Sequence, residues 1–427
     1  MLLEHKSEAV KTLLKFLKID TSQGNTEKII DQTKTILEKH DIYDVKIIED
    51  EGGHSNLIAE VKGEKPIINF ISHSDTVPIG PRELWGHNPH GEVFEGRIYG
   101  RGSFDNKGQL VSQLFSFIQL KRLSVGGLKL TVFSDEEKQL KNTGARWLIR
   151  KHWKLLKCDY ALGEGGLTIE ILNRKILLLS FGERGSAEYL VRIKSIGGHT
   201  SLNGMNLTPL HKAILKLLSP PLGLKSRKSQ NAIREMRRNF PFNKFIRTMI
   251  FMSRSFRGLF NSLKTVQFNI SKVELSGNGE NLNMAPTILK FAVNLRLVPG
   301  IIEGEADRIL RSLLYRKIGE DDLEVKKVMF VPSSFSTLKT EFYHFLKERI
   351  IEYGFHSVAP YILPASTDLA WFRERGVPSY GFFPSSVKTV EMAKRSHSVD
   401  EYISIEALES SIDLTVRIIS DFKGVVN

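Results

Sequence analysis

The sequence predicts an α/β protein: a larger domain around a central, mostly parallel sheet, interrupted by a smaller inserted α+β domain. Three observations carry this expectation. Apolar strand-like runs alternate with helical stretches over the first 180 or so residues, the pattern of a sheet with helices on its faces. At Gly182 the character changes, and a second α/β stretch resumes near Val331. The 427 residues leave room for two units of this kind. The expected boundaries are 1–182 and 332–427 for the larger domain and 183–331 for the inserted one.

Helical apolar spacing marks residues 4–18 and 26–40. Strand-like runs follow at Val45–Ile48, Asn56–Val61, Ile67–Ser72 and Lys129–Ser134, with helical stretches at 107–122 and 143–155. In the insertion, Ala187–Ile193, Thr265–Lys272 and Ile288–Leu297 read as strands and Gly304–Tyr315 as a helix. A further helix is expected after Thr208-Pro209, where Thr caps and Pro occupies the first turn. The last part holds a helix at 338–353, a strand near Ser379–Phe383 and a closing helix at 404–422.

A hydrophobic fraction of 41% and a charged fraction of 26% are those of an ordinary soluble domain. No run of about 18 apolar residues predicts a transmembrane helix, and the N-terminus does not read as a signal peptide. The single cysteine, Cys158, excludes an intrachain disulfide and a four-cysteine zinc site, and fits a cytoplasmic location. The formal charge of +13 reads mainly as solubility charge. Residues 225–257 hold ten Lys or Arg and one acid, Glu235, with Phe and Met between them. We read them as an amphipathic lid segment packing its apolar side on a sheet or a second copy. No groove-reading or aromatic-basic module suggests nucleic acid, and no membrane partner is expected.

The chemistry-bearing residues stand at strand ends. Asp135-Glu136-Glu137 follows a buried strand, where so much negative charge is costly unless a cation sits beside it. A metal ion would account for it, one Glu binding the ion and the other moving a proton. His73-Ser-Asp75 ends another strand. Residues i and i+2 share a face there, so Asp75 can orient His73 and leave its second nitrogen for a metal. Gly100-Arg-Gly-Ser-Phe-Asp105-Asn-Lys-Gly108 lacks the phosphate-cradling ending and instead presents Asp105, whose two oxygens can bridge two ions. Glu164 follows a strand-like run, and His397 lies far downstream.

Taken in order, His73-Ser-Asp75-Thr-Val-Pro78, Gly96-Arg-Ile-Tyr-Gly-Arg-Gly102 through Gly108, Ser134-Asp-Glu-Glu137, Gly182-Glu-Arg-Gly185, Gly198-His199, Thr367-Asp368 and His397-Ser-Val-Asp-Glu401 give a chain that resembles the M20 metallopeptidases and amidohydrolases. These include acetylornithine deacetylase, succinyl-diaminopimelate desuccinylase, aminoacylase and glutamate carboxypeptidase. The resemblance covers nearly the whole chain, and makes the larger domain catalytic and the inserted one a lid or dimerisation domain. It implies two zinc ions per subunit, with cobalt or manganese as substitutes: His73 and Glu164 on one, Glu137 and His397 on the other, Asp105 bridging. It makes Glu136 the general base, Asp75 the orienter of His73, and His199 an oxyanion-stabilising residue, often supplied across a homodimer. Asn283 and Arg296 become the grip on a substrate carboxylate, with Arg184 a weaker candidate. A cis peptide is implied at Asp105–Asn106. The implied activity is hydrolysis of an amide or peptide bond in a small N-acyl amino acid or short peptide. The alternative is a non-catalytic metal- or ligand-binding protein on the same fold. Pro364-Ala-Ser366 before Thr367-Asp368, Ser74 after His73, and the additional His87 and His90 depart from the family pattern.

Overall fold

A computed structural model describes residues 2–138, 142–195, 197–199, 227–242, 263–277, 283–315 and 322–426. The chain begins with α1 (Leu2–Leu17) and α2 (Thr26–Lys39), followed by β1 (Val45–Glu49), β2 (Ser55–Val61), β3 (Ile68–His73), β4 (Glu92–Phe94) and β5 (Arg97–Tyr99). Next come α3 (Lys107–Arg122), β6 (Leu128–Phe133), α4 (Gly144–Lys151), α5 (Trp153–Leu156), β7 (Tyr160–Gly163), β8 (Leu167–Ile171) and β9 (Arg174–Glu183). The middle segment holds β10 (Gly185–Lys194), β11 (Gly198–His199), α6 (Arg227–Asn239), β12 (Gln267–Ser276), β13 (Met284–Ala285), β14 (Ile288–Leu297), α7 (Glu303–Tyr315) and β15 (Leu323–Val331). The chain closes with β16 (Ser334–Phe335), α8 (Glu341–Glu352), β17 (Ser357–Leu363), α9 (Leu369–Glu374), β18 (Ser379–Gly381), α10 (Val390–Lys394), β19 (Tyr402–Ser404) and α11 (Ile405–Val426).

The large sheet runs β1-β2-β6-β3-β7-β18-β9-β16, with β8 and β17 also paired to β9. It is mixed. The pairs β6–β3, β3–β7 and β7–β18 at its centre are parallel, while antiparallel pairs β1–β2 and β2–β6 form one flank. Alternate residues of the same strand enter opposite cores, as the pleat requires. Leu57, Phe70, Leu130 and Val132 pack with α1, α3 and α11, whereas Ile58, Ile71 and Phe133 pack with α4 and α9. This two-sided cover leaves every residue of β3 and β6 buried, the polar Asn69, Ser72, Lys129 and Thr131 included.

Strands β12-β14-β10-β15 form a separate antiparallel sheet. One face of it, with Tyr189, Val191, Phe291 and Leu295, packs on Ala306, Leu310 and Leu314 of α7. The chain leaves the large sheet after β9 and returns through β16, which pairs back onto Glu183. Helix α6 buries Ala232, Ile233 and Met236 in the main core and touches β17. This part of the basic stretch therefore turns its apolar side onto the large sheet. The rest of 225–257, and the helix expected after Pro209, lie outside the described residues.

Strands at 174–183 and 357–363 were not separated out by periodicity. Their apolar runs lie buried on both faces and show no alternation.

Candidate metal centre and active site

The site stands at the carboxyl ends of the parallel strands, where open α/β sheets bind ligands. His73 is the last residue of β3 and pairs in register with Phe133 of β6. Glu136 and Glu137 therefore emerge beside it, three and four residues after that point. Glu164 follows β7, the other neighbour of β3. Asp105 and Asn106 precede α3, and the peptide bond between them is cis. His397 arrives from the loop between α10 and β19 with φ 64, in the left-handed region.

These groups converge. His73 Nε2 lies 3.5 Å from Asp105, 3.6 Å from Glu164 and 3.8 Å from Glu136. His397 Nε2 lies 3.1 Å from Glu137 and 3.2 Å from Asp105. Two sets, His73–Asp105–Glu164 and Asp105–Glu137–His397, each bring three ligand atoms within 4.8 Å of one another and share Asp105. His73 Nε2 is fully buried and makes no hydrogen bond. An orphaned imidazole nitrogen facing three carboxylates is expensive in a bare protein, and an all-nitrogen-and-oxygen donor set fits zinc or a similar divalent ion.

Asp75 does more than its spacing suggested. Its Oδ1 is 3.2 Å from His73 Nδ1. The same carboxylate accepts the backbone N–H of Glu136 at 3.1 Å and of Glu137 at 3.0 Å. One side chain thus ties both strand ends together. Asp135 accepts the Thr143 hydroxyl at the start of α4, which anchors the other side of the same loop.

The charges perturb one another. Burial pushes the Glu136 carboxyl well up, and Glu164 and Glu137 add to this. Glu137 is raised to about 7, chiefly by burial. Burial opposes the ionisation of Asp105, but contacts with His397 and His73 outweigh it and hold Asp105 well below the usual carboxylate range. His397 rises to about 10 through Asp105 and Glu137. In His73 burial favours the neutral ring, but Asp105, Asp75 and Glu164 overcome it and raise the pKa.

Several supporting residues carried no role in the sequence reading. Glu401 is buried and accepts from Arg101 Nη1 at 2.6 Å and from the backbone N–H groups of Gly102, Phe104 and Asp105 at 3.0–3.2 Å. Gly102 has φ +86, and a Cβ there would sit 2.7 Å from Thr76, so only glycine suits this turn. Asn106 donates to Glu164 Oε2 at 2.8 Å and accepts from the backbone of His73. The His-Ser-Val-Asp-Glu order hinted at Glu401, but nothing in spacing shows which amides a carboxylate reaches. His87 stacks on Tyr99 with ring centroids 3.7 Å apart and contacts Glu92, and its backbone N–H bonds Asp400. It braces the His397 loop and does not line the cavity.

A cavity of about 430 Å³ opens onto the centre. Asp105, Glu136, Glu137, Glu164 and His397 line it together with Arg296 and Glu188 of the smaller sheet. Arg184 does not line it. Its buried guanidinium donates to the backbone carbonyls of Thr265 and Arg296 and so holds the strand that carries Arg296. His199, on the short β11–β13 ladder, and Asn283, beside it, are exposed and stand outside this cavity's lining.

Residues 70–421 match the family described as Peptidase family M20/M25/M40. The chain is 29% identical over 224 residues to succinyl-diaminopimelate desuccinylase of Rickettsia bellii, a match covering 51% of this chain and 55% of that protein. It is 24% identical over 423 residues, 96% of each chain, to probable succinyl-diaminopimelate desuccinylase of Staphylococcus epidermidis. The fold superposes on the crystal structure of an M20 family metallo-carboxypeptidase from Sulfolobus solfataricus with a TM-score of 0.77, 18% identity and 97% of this chain and 99% of that chain covered. It also superposes on a di-peptidase of Saccharomyces cerevisiae with a TM-score of 0.73, 14% identity and 99% and 97% covered. The matches to the first of these relatives span little more than half of their length, and the chain belongs to peptidase family M20/M25/M40.

Proposed function

We propose that this protein is a di-zinc hydrolase that cleaves the amide bond of a small N-acyl amino acid or short peptide bearing a free carboxylate. The observation that carries the reading is the pair of clusters His73–Asp105–Glu164 and Asp105–Glu137–His397, joined at Asp105, the first holding a buried His73 nitrogen with no hydrogen bond. His73 and Glu164 would hold one ion, Glu137 and His397 the other, and Asp105 both; cobalt or manganese would substitute. Bound there, such ions acidify a water toward a pKa of about 7 and polarise the amide carbonyl.

Glu136 takes the water's proton on its carboxylate and returns it to the leaving amine. Its burial raises its proton affinity in the metal-free site, the direction a general base needs. Asp75 holds the His73 ring and the backbone of Glu136 in place. Arg296, in the cavity wall, takes the substrate carboxylate through its planar fork. His199 and Asn283 serve the oxyanion and carboxylate of a second copy's site, which makes the working form a homodimer in the cytoplasm. Residues 1–182 and 332–427 form the catalytic domain and 183–331 the lid.

Zinc-loaded protein screened against N-acyl amino acids and dipeptides tests the activity. Glu136→Gln is expected to retain two ions per chain and lose at least about 10³-fold in kcat. Turnover near the wild-type rate in that variant would remove Glu136 from its role.

A further inference from the structure

One wall of the cavity is the end of the smaller sheet, and it sets an acid beside a base. Among the described residues five acids line the cavity; four belong to the His73–His397 cluster, and Glu188 stands apart from it on β10. In the β10–β14 ladder Ser186 lies directly across from Arg296, and Glu188 is two residues further along the same face. Glu188 and Arg296 are thus a diagonal pair, about 7–8 Å apart at the backbone and within reach of long side chains. Among the described residues no ion pair joins them. Asn294 donates to Glu188 Oε1 at 2.6 Å and to Ser186 at 3.0 Å. That fixes the carboxylate's orientation through one oxygen and leaves the other for a ligand.

We propose that Glu188 is a specificity-determining residue that binds an ammonium group of the substrate while Arg296 takes its carboxylate. The inference rests on the hydrolytic reading above and narrows it. The preferred substrate carries a free α-amino-acid head, ammonium and carboxylate on one carbon, at the end away from the scissile amide. Side-chain-acylated diamino acids have this head; simple N-acyl monocarboxylates do not. A substrate lacking the ammonium forgoes the contact with the free oxygen of Glu188, so the site favours its competitor.

The test uses Nε-acetyl-lysine and 6-acetamidohexanoate, which differ only by the α-amino group. Zinc-loaded wild-type protein is expected to favour the lysine derivative by about 10- to 100-fold in kcat/KM. Glu188→Gln keeps an oxygen for Asn294, and it is expected to lose the preference by falling on the lysine derivative alone. Equal losses on both compounds, or a wild type with no preference, overturn the assignment. Calorimetric binding of lysine against 6-aminohexanoate gives a readout independent of turnover, with lysine bound tighter by the wild type and not by the variant. A binding difference without hydrolysis of either compound sinks the hydrolytic reading and leaves Glu188 in place. Hydrolysis of both without any difference does the reverse.

Discussion

At the scale of single residues, the site depends on side chains that touch the ligand groups from behind. Glu401 is the clearest case. It gathers three backbone amides and Arg101 and so shapes the turn that presents Asp105. Glu401→Gln would set an amide donor against those N–H groups and leave Arg101 buried without its counter-charge. Loss of a supporting contact of this kind typically costs 10- to 100-fold in metal affinity. We expect zinc to be stripped from the variant by a correspondingly weaker chelator, and unchanged chelator competition would refute the bracing role. His73, Asp105, Glu136, Glu137, Glu164 and His397 were legible as candidates because their motifs, taken in order, resemble those of the M20 family. The amides held by Glu401 and Asp75 were not, because a carboxylate's backbone partners depend on how a loop closes.

At the scale of elements, β9 carries the join between the two sheets. Its last residue, Glu183, is buried, 2.9 Å from Arg373 Nη1, and accepts the Thr367 hydroxyl at 2.7 Å and its backbone N–H at 3.2 Å. Strand end, α9 and the cavity-lining loop 364–367 are thereby held as one piece. Glu183→Ala leaves the Arg373 guanidinium buried and unpaired, a change that costs about 3–5 kcal/mol. Urea unfolding is expected to show that loss, and a difference below about 1 kcal/mol would mean the ion pair is dispensable. Periodicity located β3, β6, β10, β14 and the long helices. It missed β9 and β17 as separate strands because a strand covered on both faces has no alternating pattern to read.

At the scale of the whole molecule, the site couples folding to pH and metal. His397 is raised to about 10 from its ordinary 6.5 and Glu137 to about 7 from 4.5. Each favours the metal-free fold most when protonated. Their contributions are complete below the ordinary values and disappear as pH climbs through about 7 for Glu137 and about 10 for His397. Asp105, held low, works in the opposite sense and matters only in strong acid. On the di-zinc reading proposed above, zinc would displace these protons. The metal-free protein is therefore expected to lose thermal stability between about pH 5.5 and pH 9, while the stabilisation by zinc grows over that range. Thermal midpoints with chelator and with zinc at the two pH values check both, and a chelated protein that gains stability toward pH 9 contradicts the scheme. The sequence by itself determined the α/β class and the order of the motifs, because strand ends are marked by apolar runs; the ligand set it offered is the one the family resemblance implies. Only the tertiary structure decided that Arg296 and Glu188 share the cavity while His199 lies outside it, and that Asp75 ties two strand ends together. Those facts follow from strand register and from the crossing between sheets, which bring together residues far apart in the chain by contacts that no local pattern encodes.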